Sequence, residues 1–294
     1  MAPAAASGAP AIGSRRAHET SLVRLYVLRA IALFVAVDGC FTKLPYLTHP
    51  DPASRGIVAC ILVAIWLSAF VTIRYPLRMM PLFFFELIWK TLWLLDYGAP
   101  QWLAGMSSPR LARDLFEIGF FPLPIALVIP WGYVWRHYVR QPAERGGPPG
   151  SEAPVPPEAG EGGTNEVSAA RLRLLRAAFL LSAIAGCALL LPQMISPDPA
   201  IRGMQESMLA GLWLCAFLGL RYPLQMLPIL LFELLWTVLY LAVYALPRML
   251  SGAATAQTEA DLLAIAPWPI LFAFVIPWSS VWRRFVREQG DRWR

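Results

Sequence analysis

Two carboxylic acids stand in the middle of long apolar stretches, and they are the residues of this chain best suited to chemistry. Glu86 belongs to the stretch RYPLRMMPLFFFELIWKTLWL, and Glu233 belongs to RYPLQMLPILLFELLWTVLYL. In a helix that begins at Pro76 or Pro223, each glutamate lies about 15 Å from the start, which is half of a ~30 Å hydrocarbon core. An ionisable side chain at that depth is costly and therefore predicts a functional site.

The two stretches differ at one position that matters for charge. Lys90 follows Glu86 by one helical turn, in the order that favours an ion pair, whereas Thr237 occupies the equivalent position after Glu233. Glu86 is therefore expected to be charged and paired on its own helix. Glu233 either reaches Lys90 across the molecule or is neutral at pH 7, because burial disfavours the charged form. The first alternative makes Lys90 a polar staple between two carboxylates. The second makes Glu233 a site for a proton, a cation or a small solute.

Further polar residues in the apolar stretches are secondary candidates for the same site: Asp38, Asp96, Glu117 and Thr237. The three acids occur in the first copy only, because alanine or valine stands at each equivalent position of the second copy. The pattern places all three near the ends of their helices, where water is close. They therefore predict a site less strongly than the two glutamates.

Two prolines interrupt apolar stretches at equivalent places, each within the sequence Val-Ile-Pro-Trp. Pro130 and Pro277 have no backbone N–H to donate, so each frees the carbonyl one turn earlier and is expected to kink its helix. A bilayer tolerates such a freed carbonyl only where a neighbouring group or water binds it.

The composition is that of a membrane protein. Of the 294 residues, 57% are hydrophobic and only 15% are charged, against roughly 25% in soluble domains. Such a chain cannot cover a soluble surface, so its main partner is the lipid bilayer. The net charge of +6 does not indicate a nucleic-acid partner, because the basic residues stand at the ends of the apolar stretches. Protein partners and a homo-oligomer are left open.

The two glutamate stretches are copies of each other, since 12 of their 21 positions are identical at a constant offset of 147 residues. The sequence predicts an all-α membrane protein with eight transmembrane helices, arranged as two tandem parallel four-helix repeats. It divides into a flexible cytoplasmic tail (1–20), a first repeat (21–140), an acidic linker rich in proline and glycine (141–168) and a second repeat (169–294). Eighteen of the 25 Lys and Arg residues then lie on the side of the termini and six on the other side. This split predicts that both termini are cytoplasmic.

Enzyme motifs are missing from the sequence. The chain has no HExxH, GxSxG or phosphate-loop pattern, and its three histidines are scattered. We therefore expect a protein that is not an enzyme, with no catalytic residue, no metal site and no cofactor.

The stretch with RYPL, MLP and FELLW resembles uncharacterised bacterial multi-pass membrane proteins that carry helices of the RYPLxMLP type. Arg29, Gly39 and Lys43-Leu44, with a glycine-containing second span that carries Glu206, are also similar to four-helix membrane proteins of the DoxX-like family, here duplicated in tandem. The second copy departs from that pattern because it lacks the Lys-Leu pair. The resemblance implies a location in the bacterial inner membrane and a role as an accessory subunit near respiratory or redox enzymes.

Two functions follow from these features. The first is a transporter-like protein for a small solute, protons or cations, with Glu86, Lys90 and Glu233 lining a site between the repeats. The alternative is a scaffold or accessory subunit without catalytic activity, in which the same residues hold the halves together.

Overall fold

The computed structural model describes residues 20–48, 56–106, 108–144, 167–195, 203–291 and Trp293. All regular secondary structure in these residues is helical, which confirms the predicted all-α fold. The predicted tail, apart from Thr20, and most of the predicted linker lie outside the described residues.

The first half, residues 21–140, contains four long helical segments. Its first three segments are α1 (Leu22–Thr42), α2 (Gly56–Arg74) and α3 (Met80–Trp93), with the π-helical turn Leu94–Gly98 and the helix Ala99–Leu103 continuing α3. The fourth comprises Pro109–Asp114, the π-helical turn Leu115–Gly119, α4 (Pro122–Val128), Trp131–Val134 and the π-helical turn Trp135–Arg140. A short helix, Leu44–Thr48, follows α1.

The second half, which follows from residue 169, has a similar order of helices. Its first three segments are α5 (Ala169–Leu189), α6 (Met204–Arg221) and α7 (Leu227–Leu239), with the π-helical turn Tyr240–Ala245 and the helix Leu246–Leu250 continuing α7. The fourth comprises Ala256–Ile265, α8 (Pro267–Val275), Trp278–Trp282 and the π-helical turn Arg283–Arg287. A short helix, Leu191–Met194, follows α5.

Several helices are long and apolar enough to cross a membrane. Among the described residues these are five: Leu22–Thr42, Gly56–Arg74, Ala169–Leu189, Leu227–Leu250 and Ala256–Val275. A sixth results if the bent pair Pro109–Val128 and Trp131–Arg140 counts as one span. The other two predicted spans correspond to residues 80–103, which include Glu86, Lys90 and Asp96, and to α6, which includes Glu206 and Arg221. Their charged residues lower the mean hydropathy of both segments.

The fourth segment of each half breaks at its Val-Ile-Pro-Trp sequence. In the first half the helices on the two sides of the break meet at 69°. Proline leaves the carbonyl four residues earlier without its helical donor. The indole N–H of Trp131 donates to the carbonyl of Ala126 at 2.7 Å, and Trp278 donates to Ala273 at 2.9 Å. The tryptophan after each proline thus binds the carbonyl that the proline frees.

The first two helices of each half pack closely through a glycine and a tryptophan. Gly39 of α1 lies against the indole of Trp66, whose N–H donates to the carbonyl of Ala36 at 2.9 Å. Gly186 of α5 lies in the same way against Trp213, whose indole N–H donates to an α5 carbonyl at 2.9 Å. A glycine is required at both places, because a Cβ there would be 2.0 Å from the indole ring.

The two halves meet through two pairs of helices, and each pair has one helix from either half. Helix α3 packs on α6 of the second half, and α7 packs on α2 of the first half. Phe85 and Phe232 meet where α3 approaches α7, with ring centroids 5.2 Å apart. Gly211 of α6 brings that helix against Trp89, since a Cβ on Gly211 would lie 2.8 Å from the Trp89 Cβ. Small and aromatic residues therefore fill the centre of the molecule.

The end of the second half lies against the turn that follows α2. The hydroxyl of Tyr75 donates to the backbone carbonyl of Glu288 at 2.9 Å. The backbone N–H of Leu77 donates to the Asp291 Oδ2 at 2.8 Å. Residues 288–291 are called the C-terminal clasp from here on.

The end of the first half lies against the turn that follows α6. The hydroxyl of Tyr222 donates to the backbone carbonyl of Gln141 at 2.7 Å. The backbone N–H of Leu224 donates to the Glu144 Oε2 at 2.7 Å. Residues 141–144 are called the linker clasp from here on.

Glu144 should give the protein a measurable pH dependence. Burial raises the pKa of Glu144 above its ordinary value of 4.5, although the Leu224 N–H and the positive charges of Arg284 and Arg176 oppose the shift. A carboxyl whose pKa is higher in the folded state stabilises the fold fully below its unfolded pKa, and this contribution is lost as pH rises through the folded pKa. We expect thermal stability in detergent to fall as pH rises from about 4.5 towards that higher pKa, and Glu144→Gln to remove this part of the profile. Identical pH profiles for the variant and the unmodified protein would contradict the assignment.

Candidate functional site

Glu86 and Lys90 form an ion pair on α3. The Lys90 Nζ lies 3.2 Å from the Glu86 Oε2, and the two side chains are 14% and 18% exposed. The ammonium also lies 4.6 Å from the ring centroid of Trp89 and 5.2 Å from that of Phe121. Aromatic faces attract a cation, so the carboxylate and both rings stabilise the charge of Lys90 together.

Glu233 has a different partner. Its Oε2 accepts a hydrogen bond of 2.7 Å from the indole N–H of Trp236, one turn further along α7. Thr237 donates to the backbone carbonyls of Glu233 and Leu234, at 2.7 and 3.1 Å. The thiol of Cys215 on α6 lies within electrostatic range of the Glu233 carboxyl. The groups that the structure gives to Glu233 are thus uncharged and belong to its own half.

The two glutamates differ in how the tryptophan one turn later is bonded. Trp89 stands where Trp236 stands in the second half, but its buried indole N–H has no hydrogen-bond partner within the described part of the chain. The Glu86 Oε1 is also buried without a hydrogen bond there. Lys90 contacts the other carboxylate oxygen, and the bond that joins Glu233 to Trp236 has no counterpart among the described residues of the first half.

The structure therefore brings Glu86 and Lys90 together and places Glu233 with other residues. The ion pair lies beside Phe121, which precedes α4 of the first half, whereas Glu233 lies near Cys215 of the second half. A bridge from Lys90 to both carboxylates is not among the contacts of the described residues.

Lys43 connects the secondary acids to the ion pair. It interacts electrostatically with Asp38 and Glu117, and also with Lys90 and Glu86. The Asp38 Oδ2 accepts a hydrogen bond of 3.0 Å from the Thr42 hydroxyl. The first half thus contains a group of opposite charges that the second half lacks, because alanine or leucine stands at the positions equivalent to Asp38, Lys43 and Glu117.

Two secondary candidates lie in π-helical turns. Asp96 is half-buried in the turn Leu94–Gly98, and Glu117 is exposed in the turn Leu115–Gly119. Such turns are rare and frequently occur at functional sites. Pro130 and Pro277 stand at the helix breaks described above, and Thr237 is buried beside Glu233.

The two glutamates lie closer to the start of their helices than the sequence predicts. The third helices begin at Met80 and Leu227, not at Pro76 and Pro223, because each RYPL sequence forms a turn first. In this turn the N–H of Met79 donates to the Tyr75 carbonyl at 3.0 Å. Glu86 and Glu233 each lie six residues after the first residue of their helix, or about 9 Å along it.

The arrangement can exchange protons or attract a cation. A carboxyl bonded by an indole N–H can exchange a proton without separating an ion pair, and the Glu86 carboxyl differs because it contacts the Lys90 ammonium. The spacing Glu-x-x-Trp is visible in the sequence, and it places Glu233 and Trp236 one turn apart on the same helix. Within the described ranges, no group of three or more His, Cys, Asp or Glu side chains could hold a metal ion.

Comparison of the chain with protein-family models, with curated proteins and with solved structures finds no match. The contacts of Glu86, Lys90, Glu233 and Trp236 are the features of the protein that indicate a function.

Proposed function

We propose that the protein spans a bacterial inner membrane eight times, as two tandem parallel four-helix repeats with both termini in the cytoplasm. Three kinds of contact recur at an offset of 147 residues and support the repeat. The Gly-Trp contact, the Trp-carbonyl bond after the proline and the bond from a backbone N–H to the clasp carboxylate each occur once in either half. The 18-to-6 division of basic residues supports the orientation. Residues 80–103 and α6 then supply the two spans that carry more charge.

The function that this geometry supports best is the transfer of protons, cations or a small polar solute through sites at the two glutamates. One observation carries it: the same position holds an ion-paired carboxyl in one half and a carboxyl bonded by a neutral donor in the other. A carboxyl that is embedded in the membrane without a cationic partner is costly to ionise, so binding of a proton is favoured there. Glu233 is therefore the proton-binding residue of the proposal, and Glu86 is ion-paired with Lys90.

The test is flux in liposomes that contain the purified protein. Glu233→Gln keeps the shape of the side chain and removes its proton exchange, so we expect loss of most of the flux of protons or solute with the protein still folded. Infrared difference spectra should show a protonated carboxyl band that disappears in the same variant. Glu259→Gln is the matched control, because Glu259 is exposed on the helix Ala256–Ile265. Normal flux and an unchanged carboxyl band in Glu233→Gln would contradict the proposal.

A scaffold or accessory subunit is the second candidate, and the filled centre of the molecule favours it. Phe85 packs on Phe232 and Trp89 packs on Gly211, so the halves meet through apolar side chains there. This candidate predicts that Glu233→Gln reduces the amount of folded protein because the bond to Trp236 weakens, and that no flux is present in the unmodified protein.

A further inference from the structure

The residues that follow each half make the same set of contacts, and each set is made with the other half. Each clasp supplies a backbone carbonyl to a tyrosine hydroxyl and a carboxylate to the N–H two residues later. We propose that the linker clasp (141–144) and the C-terminal clasp (288–291) form a reciprocal lock. Each clasp follows one half and binds the first helix and the Arg-Tyr-Pro-Leu turn of the other half. This proposal goes beyond the glutamate site and does not depend on what the protein transfers.

An arginine of the first helix completes each clasp. Arg29 of α1 donates to the backbone carbonyl of Asp291 at 2.5 Å, and it also binds the Ile73 carbonyl at 3.2 Å. Arg176 of α5 donates to the backbone carbonyl of Glu144. Arg29 is buried, with 4% of its surface exposed, so these carbonyl acceptors replace the water that would otherwise solvate its charge. The Arg29 side chain thus joins α1, the end of α2 and the C-terminal clasp, which follows the other half.

The clasps also bind back to the turns. The backbone N–H of Asp291 donates to the Arg74 carbonyl at 3.1 Å, and that of Glu144 donates to the Arg221 carbonyl at 3.4 Å. Asp291 and Glu144 therefore each accept a hydrogen bond from the turn with the carboxylate and donate one to the turn with the backbone N–H. A fixed register between clasp and turn follows, because a shift by one residue would break both bonds.

The first residue of each clasp also bonds through its side chain, and in the linker clasp the Gln225 amide donates to the Gln141 Oε1 at 3.0 Å. Arg78 pairs with the Glu288 Oε2 at 2.8 Å and also donates to the backbone carbonyl of Arg284. The guanidinium of Arg29 lies 4.0 Å from the ring centroid of Trp293. A charged pair at the first position of the C-terminal clasp thus corresponds to an amide pair in the linker clasp.

Together with the packing of α3 on α6 and of α7 on α2, the clasps should keep the halves associated after the chain between them is cut, and weakening a clasp should lower that association. The test inserts a protease site within residues 150–160 of the full chain, cleaves the folded protein in mild detergent and measures dissociation of the halves by size exclusion over a dilution series. We expect the halves of the otherwise unmodified protein to co-elute. Asp291→Ala and Glu144→Ala should each raise the dissociation constant about tenfold, because each removes a charged acceptor of a backbone N–H. Glu259→Ala is the control at an exposed acid of the second half.

Two outcomes would overturn the lock: separation of the cleaved halves without any substitution, or dissociation constants of the clasp variants within twofold of the Glu259→Ala value. If the alanine variants do not fold as uncleaved chains, Tyr75→Phe and Tyr222→Phe decide, because each deletes one clasp hydrogen bond without changing charge. We expect these two variants to weaken association about threefold each. Unchanged association in both would reject the proposal.

Discussion

Replacing Lys90 by methionine should destabilise the protein by about 3 kcal/mol, because it leaves the Glu86 carboxylate without its cation. Removal of one partner from a buried ion pair typically costs 3–5 kcal/mol, and the lower end applies because both side chains keep some exposure. Methionine preserves the length of the side chain and its packing on Trp89 and Phe121. Unfolding of the purified protein in a denaturing detergent, followed by circular dichroism, measures the loss.

A second substitution tests whether charge is the cause. Glu86→Gln combined with Lys90→Met removes both charges, so most of the lost stability should return, because no unpaired carboxylate remains. Lys90→Thr also removes the cation, and it gives the first half a threonine at the position equivalent to Thr237. In that variant we expect Trp89 to donate to Glu86, as Trp236 does to Glu233. A double variant as unstable as Lys90→Met would show that packing, not charge, explains the effect.

The ion pair shows what the sequence can predict. The spacing of Glu86 and Lys90 by one turn predicts their contact, because residues four apart lie on one face of a helix. The same rule predicts that the side chains of Glu233 and Trp236 are neighbours, since they are three residues apart. It does not say that the indole N–H points at the carboxylate, because that depends on side-chain rotamers set by the surrounding helices.

The partners of the third helices could not be predicted in the same way. The two halves have nearly the same apolar surfaces, so α3 could pack on α2 of its own half or on α6 of the other half with similar burial. The close approach of Gly211 to Trp89 is a feature of the observed pairing. Ala64 stands at the equivalent position of α2, so a small residue is available on both helices, and the pattern of residue sizes does not choose between the two pairings.

The prolines are an intermediate case. Their position predicts a freed carbonyl and a bend, and the structure has a break there. The sequence does not predict that Trp131 and Trp278 bind those carbonyls, because a tryptophan near the end of a span is equally expected at the membrane interface. The local hydrogen bond depends on the backbone angles of the break itself.

Adding a methyl group at Gly39 should also destabilise the protein by about 3 kcal/mol. The Cβ of Gly39→Ala would lie 2.0 Å from the Trp66 Cδ1, and Trp66 cannot move without losing its hydrogen bond to Ala36. Overpacking of a buried contact typically costs 1–3 kcal/mol, and a lost hydrogen bond adds about 1 kcal/mol. The same detergent unfolding assay measures the effect.

The second half provides the matched experiment, because Gly186→Ala places a Cβ at the same 2.0 Å from Trp213. We expect the two substitutions to cost the same within about 0.5 kcal/mol and to add in the double variant, since the contacts are separate. Gly132→Ala is the control, as a Cβ there meets nothing within 4 Å and alanine favours a helix over glycine. Replacing Trp66 by leucine before introducing Gly39→Ala should reduce the cost of the methyl group. Unequal costs in the two halves would show that the repeated sequence does not produce repeated packing, and a Gly39→Ala variant as stable as Gly132→Ala would remove the steric argument.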